Sequence, residues 1–267
     1  MTGTGASVVR LVTQEPAVAL LAGRALVLQL AHPAVAQGVH DHSDFRQHPF
    51  RRLQGTLASM YTVAWGSAEQ AAAVGRRVRR AHQAVTGPSY RATSPENLLW
   101  VHATLVDSSL LAYTMFVGTL DGEQQEAFYQ EMKEVAAVFG LHPHLQPPTL
   151  LDFRAYFDET VQALQVTDTA RDLIRYVLRP GFGLAVQVAL APALGLERLI
   201  TVGTTPAPIR DRAGLDWDLR RQVLFEGCRL GLRAWMRAQP RAVRTAPVRV
   251  GGQLVLRSHG AEGVPNR

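Results

Sequence analysis

The chain has 267 residues, 47% hydrophobic, 19% charged and 7% aromatic, with a net charge of +6. This composition excludes a disordered chain, leaves the core to aliphatic residues and alanine, and suffices for one large helical domain with an internal pocket. Cys228 is the sole cysteine and Lys133 the sole lysine, which excludes an internal disulfide and a cysteine-built zinc cluster and leaves the positive charge to arginine.

Nearly every segment has helical periodicity. Pro16 stands where a helix begins, and the apolar run to Leu30 predicts a helix ending near Pro33. A second follows Pro33 and fades at His40–Ser43. A third opens at Pro49, with Leu53, Leu57, Met60 and Val63 at three- and four-residue steps. Ser67 and Gln70 have capping-box spacing for a helix running through Val85, closed by Gly87-Pro88. Ser94-Pro95 starts another towards Thr119; Asp121 caps the next, which stops at Gly140. Thr149 or Asp152 opens a helix after the prolines at 143–148, and Asp168 caps Ala170–Leu178. An apolar helix covers Leu184–Leu199, a turn-rich stretch lies near Pro206–Pro208, and a long helix runs from Asp216 to about Ala238. Val248–Arg257 reads as a short hairpin or a tail.

The pattern therefore predicts an all-α fold: a single globular domain over 1–267 of about ten helices around an internal apolar cofactor pocket. Its core covers about residues 10–245, with a C-terminal tail over 246–267. The N-terminus lacks the basic and apolar regions of a signal peptide, and Gly181–Leu196 falls short of the roughly 20 apolar residues of a spanning helix. A cytoplasmic protein is expected.

Histidine carries the chemical signal. Eight of nine lie in the first 144 residues, and imidazole is a common ligand for transition metals. Each also has a plain reading. His142, His144 and His48 adjoin prolines and suit the surface. His40, Asp41 and His42 fit a metal or a polar turn, and His32 fits a helix C-terminus. His102, on an apolar helix face, needs a partner. His82 shares a face with Val78 and Val85, amid Arg76, Arg77, Arg79 and Arg80. That suits an iron porphyrin, with an arginine such as Arg79 on a propionate, and equally a basic surface helix. Arg52 and Thr56 share a face suited to anionic oxygen. Arg229, Arg233 and Arg237 step by four along an amphipathic helix, read first as a solvated face and second as a peripheral membrane contact. No nucleic-acid motif, phosphate loop or catalytic triad is present.

Several runs together resemble the DUF2236 family, which includes MpaB-type oxygenases and the latex-clearing rubber oxygenases. They are Gly23-Arg-Ala-Leu-Val-Leu-Gln-Leu-Ala-His-Pro33, Gly38-Val-His-Asp-His-Ser-Asp-Phe45, Arg52-Leu-Gln-Gly-Thr56, Ala64-Trp-Gly66, Val78-Arg-Arg-Ala-His82 with Val85-Thr-Gly87, and Trp100-Val-His-Ala-Thr-Leu105. Their order and spacing fit from about residue 10 to 245.

The resemblance implies a b-type haem protein that uses O2 to cleave carbon–carbon double bonds of prenyl or isoprenoid chains. It makes His82 the iron ligand and Arg52 and Thr56 lining residues. Where the rubber oxygenases carry a lysine before that threonine, this chain has Gly55, leaving the opposite face to O2, water or another side chain. Asp41 is the nearest counterpart of their catalytic glutamate.

The reading that follows is a haem b oxygenase for a small apolar, unsaturated substrate. His42 or His102 supplies a hydrogen bond or proton, Leu184–Leu199 lines an apolar channel, and the electron donor and oligomeric state are open. The alternatives are a non-catalytic haem carrier or sensor, and a non-haem metalloprotein built on His32, His42 and Asp41.

Overall fold

The computed structural model describes residues 7–43 and 49–261, and within these the backbone alone for 49–54, 57, 184 and 257–261. Fourteen α-helices lie among the described residues, with one two-stranded antiparallel hairpin, Thr86–Gly87 against Tyr90–Arg91. The all-α expectation holds.

The core is built around α3 (Ala22–Ala31), an apolar helix entered through two short ones, α1 (Val8–Thr13) and α2 (Ala17–Leu20). Arg24, Ala25, Val27, Leu28, Leu30 and Ala31 are all buried, because α4 (Pro33–His42), α7 (Pro95–Ala112), α10 (Asp168–Leu178) and α11 (Leu184–Thr204) pack around α3. Each fully buried leucine or valine contributes roughly 1.5–3 kcal/mol. A side chain begun at Gly23 would lie 2.1 Å from Glu197 Oε1, so glycine permits the close approach of α3 to α11. Trp100 of α7 donates its Nε1–H to the Leu28 carbonyl at 2.9 Å and stacks on Phe157 of α9 (Leu150–Ala163).

Around this centre, α5 (Pro49–Trp65) and α6 (Ala68–Gln83) form an antiparallel pair joined by Gly66 and Ser67, and α8 (Gly122–Val138) packs against both. The predicted caps are present. Ser67 and Gln70 form a capping box, as do Asp121 with Gln124 and Thr149 with Asp152, so the two residues offered as openers of α9 act together. The α10 cap is Thr167, one residue before the expected Asp168, which occupies the first turn and favours the helix dipole there.

Four expectations are corrected. The single helix from Pro16 to Pro33 is interrupted at Leu21, whose ψ of 12° leaves the helical range, giving α2 and α3. The turn-rich stretch at Pro206–Pro208 is a short helix, α12 (Ala207–Arg212), because proline is tolerated in a first turn. The apolar helix at Leu184 continues to Thr204, and Ala185–Thr204 is long and apolar enough to cross a membrane by length and composition.

The fourth concerns the C-terminus. After α13 (Leu219–Ala238), the residues read as a hairpin or tail form α14 (Arg241–Ala261). Pro247 and Gly251-Gly252 hide its helical period. Gly252 sits directly on the Tyr61 ring of α5, Gln70 donates to the Leu256 carbonyl at 3.1 Å, and buried Glu15 binds Arg244 at 2.7 Å. The last helix thus braces the α5–α6 pair from behind.

Candidate functional site

The arrangement that matters is set by the short link between α5 and α6. Trp65 ends one helix and Ala68 starts the other, so residues equally far from the link face each other. Thr56 is nine residues before Trp65 and Val78 ten after Ala68; Arg52 is thirteen before and His82 fourteen after. At about 1.5 Å per residue, each pair is level to within roughly 2 Å. Arg52, Thr56 and His82, far apart in sequence, are thereby brought to one end of one helix pair.

That end is open. Gly55 and Thr56 are exposed, and among the described residues no atom lies within 4 Å of the point where a side chain at Gly55 would start. His82 is half-buried in the last turn of α6. The side chain of Arg52 lies outside the described residues, as do Asp44, Phe45 and His48.

Beyond His82 the chain turns into the hairpin, and the C-terminal half of α4 packs on it. A side chain at Gly38 would lie in ordinary contact with Val85 and Tyr90, at 3.4 Å. Asp41 accepts from the Tyr90 hydroxyl at 2.6 Å and from Gln37 at 2.8 Å. The Tyr90 bond, with that from Gln37, holds the Asp41 carboxyl below its ordinary range, and the same bond pushes the Tyr90 hydroxyl up to about 12. Next to it, exposed His42 places Nε2 3.1 Å from the Thr86 carbonyl and meets the Tyr90 ring edge-on. His42, Asp41 and His82 therefore gather around the C-terminal end of α6. Tyr90, which contacts Asp41 and His42, is the residue that sequence reasoning missed; an isolated tyrosine after Gly87-Pro88-Ser89 gave no signal.

The other predicted residues are placed elsewhere. Arg79 donates from its guanidinium to the Val138 carbonyl and runs its stem over Gly140, whose φ of 105° only glycine adopts readily, closing the C-terminus of α8. His102 is 6% exposed in α7, with Nε2 buried and without a hydrogen-bond partner among the described residues. Burial lowers its pKa to about 4, so the imidazole is neutral near pH 7. At about 100° per residue it lies roughly opposite Trp100 and Thr104, which face α3. His32 joins α3 to α4, half-buried, with Nδ1 unpartnered; burial lowers its pKa and Glu96 opposes this. His142 and His144 are exposed and stacked.

Two sequence readings fail on geometry. His32 and His42 stand at opposite ends of α4, roughly 15 Å apart along its axis, so they cannot share an ion. Among the described residues, no three or more His, Cys, Asp or Glu side chains are grouped to hold a metal ion. The non-haem site of His32, His42 and Asp41 is thus set aside. The channel expected along Leu184–Leu199 is not enclosed over Ala185–Ala193, where every residue is exposed.

The family model for the catalytic domain of the ER-bound oxygenase mpaB/B′ and rubber oxygenase matches residues 9–239. The chain belongs to this family. The mpaB/rubber-oxygenase match contains every residue of the open end of α5–α6 and stops before α14, so the bracing helix lies outside it. Similar curated proteins are uncharacterized proteins of Mycobacterium bovis and Mycobacterium tuberculosis, each 26% identical over 216 residues, 78% of this chain and 84% of theirs. No solved structure matches the chain.

Proposed function

We propose that this member of the mpaB/rubber-oxygenase family is a haem b-dependent oxygenase acting with O2 on a small apolar, unsaturated substrate of prenyl or isoprenoid type. The observation that carries the reading is the placement of Arg52 level with His82, about one helical turn from Thr56, at the end of the α5–α6 pair where Gly55 is open among the described residues. A flat macrocycle needs such a space, and a side chain larger than hydrogen at Gly55 would project into it. The residues present fit the group.

His82 would hold the iron through its imidazole, with Arg52 and Thr56 beside the macrocycle as partners for a propionate or another anionic oxygen. When bound, haem supplies the activation of O2. The chain's own residues supply position and proton control. His42 holds its ring against the Thr86 carbonyl, which leaves Nδ1 for a second partner. His102, neutral near pH 7, is suited to a hydrogen bond at Nε2 rather than to delivering a proton as an imidazolium. Asp41, held ionised by Tyr90 and Gln37, orients the α4 end next to His42 and is not itself a proton donor near pH 7. Arg79 has already committed part of its guanidinium to Val138, so only its remaining N–H groups are available to a carboxylate.

The test is an absorption spectrum of protein expressed with excess haem precursor, followed by O2 uptake with prenyl lipids. A Soret band with substrate-dependent uptake supports the reading. A Soret band without uptake reduces the protein to a haem carrier or sensor, and no Soret band overturns the haem assignment.

A further inference from the structure

The C-terminal part of the chain carries an apolar surface unlike the rest. From Ala185 to Ala193 every residue of α11 is exposed, which is two and a half turns without a covered face. Val186 is 46% and Val188 67% exposed, and Gln187 is the only strongly polar side chain between Gly181 and Leu196. A helix apolar all round is stable only when a nonpolar medium surrounds it. A second protein chain would cover one face and leave the others wet. The same helix cannot cross a bilayer, because from Ile200 to Val202 it is locked into the core beside α3. Its free portion of nine residues spans about 13 Å, roughly one leaflet of the ~30 Å hydrocarbon layer.

The adjoining helix continues the surface. Along α13 the exposed large apolar residues are Leu219, Val223, Leu224, Leu230 and Trp235, with Gly227 and Gly231 between them. This reverses the pattern expected from Arg229 and Arg233. Those two arginines are half-buried, Arg229 against Glu226 at 2.7 Å, while the apolar stripe faces out. Leu196 and Ile200 of α11 cluster with Leu232 and Met236 of α13, and Gly203 meets Phe225, so the two helices run antiparallel. The free end of α11 therefore lies towards the Trp235 end of α13.

Charge follows the same division. Residues 179–250 hold twelve arginines against five Asp and Glu, a net +7, whereas residues 1–178 hold fourteen Lys and Arg against sixteen acids, a net −2. Arg179, Arg220, Arg237 and Arg241 are exposed around the apolar surface. Apolar side chains rimmed by arginine match an anionic lipid surface, with hydrocarbon for the former and headgroup phosphate for the latter.

We propose that the free half of α11 and the exposed stripe of α13 dock the protein on an anionic bilayer, inserting into one leaflet. The proposal is independent of haem. It is tested by flotation of the full-length protein with vesicles of phosphatidylcholine alone and with about 30% phosphatidylglycerol. Binding is expected to the anionic vesicles only, with a blue shift of Trp235 emission and release at about 0.5 M salt. The exposed double variant Val188→Asp/Leu190→Asp should bind at least about tenfold more weakly. Leu151→Asp, still more exposed but on α9, should bind as the unaltered protein does. Equal binding to neutral vesicles, or full binding by the double variant, overturns the proposal. So does a dimer that the double variant dissociates, if the unaltered protein fails to float with anionic vesicles.

Discussion

Two antiparallel helix pairs, α3–α7 and α5–α6, show opposite uses of polar side chains. In α3–α7, Arg24 is buried, binds Asp107 at 2.6 Å and Ser108 at 2.7 Å, and reaches the Thr204 carbonyl of α11 at 2.8 Å. Gln29 donates to Thr104 at 3.1 Å, and Trp100 to Leu28. These groups point at one another. At the open end of α5–α6, exposed Thr56 and half-buried His82 stand beside open space, and the last turn of α6 is fixed from outside by Tyr90, Asp41 and the hairpin. The first pair is closed on itself, whereas the second is the one for which a bound group is proposed. Substitutions in one should therefore change folding, and in the other binding.

The largest effect is expected at Arg24. Arg24→Met leaves Asp107 without its cation and Thr204 without its donor, which should cost about 3–5 kcal/mol in denaturant unfolding. A loss below about 1 kcal/mol would mean that the α3–α7 pair does not depend on its polar contacts.

The far side of α7 should respond to acid. His102 has a folded pKa of about 4, below the ordinary 6.5, so the unfolded chain takes up a proton that the folded one refuses. Stability is then full above pH 6.5 and falls between 6.5 and about 4, by about 3 kcal/mol in total. His102→Leu should flatten that limb; an unchanged pH profile would show that His102 is not the group responsible.

Gly23→Ala sharpens the comparison at the α3–α11 contact. The added methyl meets Glu197 Oε1 and Thr201 Oγ1, so a loss of roughly 1–3 kcal/mol in unfolding free energy is expected. Gly55→Ala, with no described atom in its way in mid-helix, should raise stability by about 0.5–1 kcal/mol and alter haem binding instead. A thermal destabilisation by Gly55→Ala as large as that by Gly23→Ala would break the distinction.

The smallest effect is at the hairpin. Tyr90→Phe removes the bond that lowers the Asp41 pKa, so the carboxyl should titrate closer to 3.8 when followed by NMR. The lowered folded pKa adds stability that is present above the unfolded value and lost as pH falls through the folded one, so the variant should be less stable than the unaltered protein above pH 3.8, and the difference should vanish as pH falls through the folded value.

Much of this fold is written in local signals. Ser67, Asp121 and Thr149 mark helix starts because capping is a contact between residues three apart, visible in sequence. The α5–α6 pair is almost as legible, since its two-residue link fixes which positions are level. The legible part ends where glycine and proline act at long range. Gly252 reads as a strand or tail residue until Tyr61 lies on it, and Pro247 hides α14 although its side chain is exposed. The partners of Arg79 and Asp41 were likewise out of reach, because Val138 and Tyr90 are distant in sequence. The exposed stripe of α13 was misread for a related reason: periodicity finds an amphipathic helix but cannot say which face turns inward.

The most direct test of His82 as the iron ligand is the haem spectrum of His82→Gly, with and without added imidazole. The placement of His82 level with Arg52 predicts a lost or strongly shifted Soret band that imidazole restores, with unfolding free energy within about 1 kcal/mol of the unaltered protein. An unchanged Soret band in His82→Gly without imidazole would contradict it.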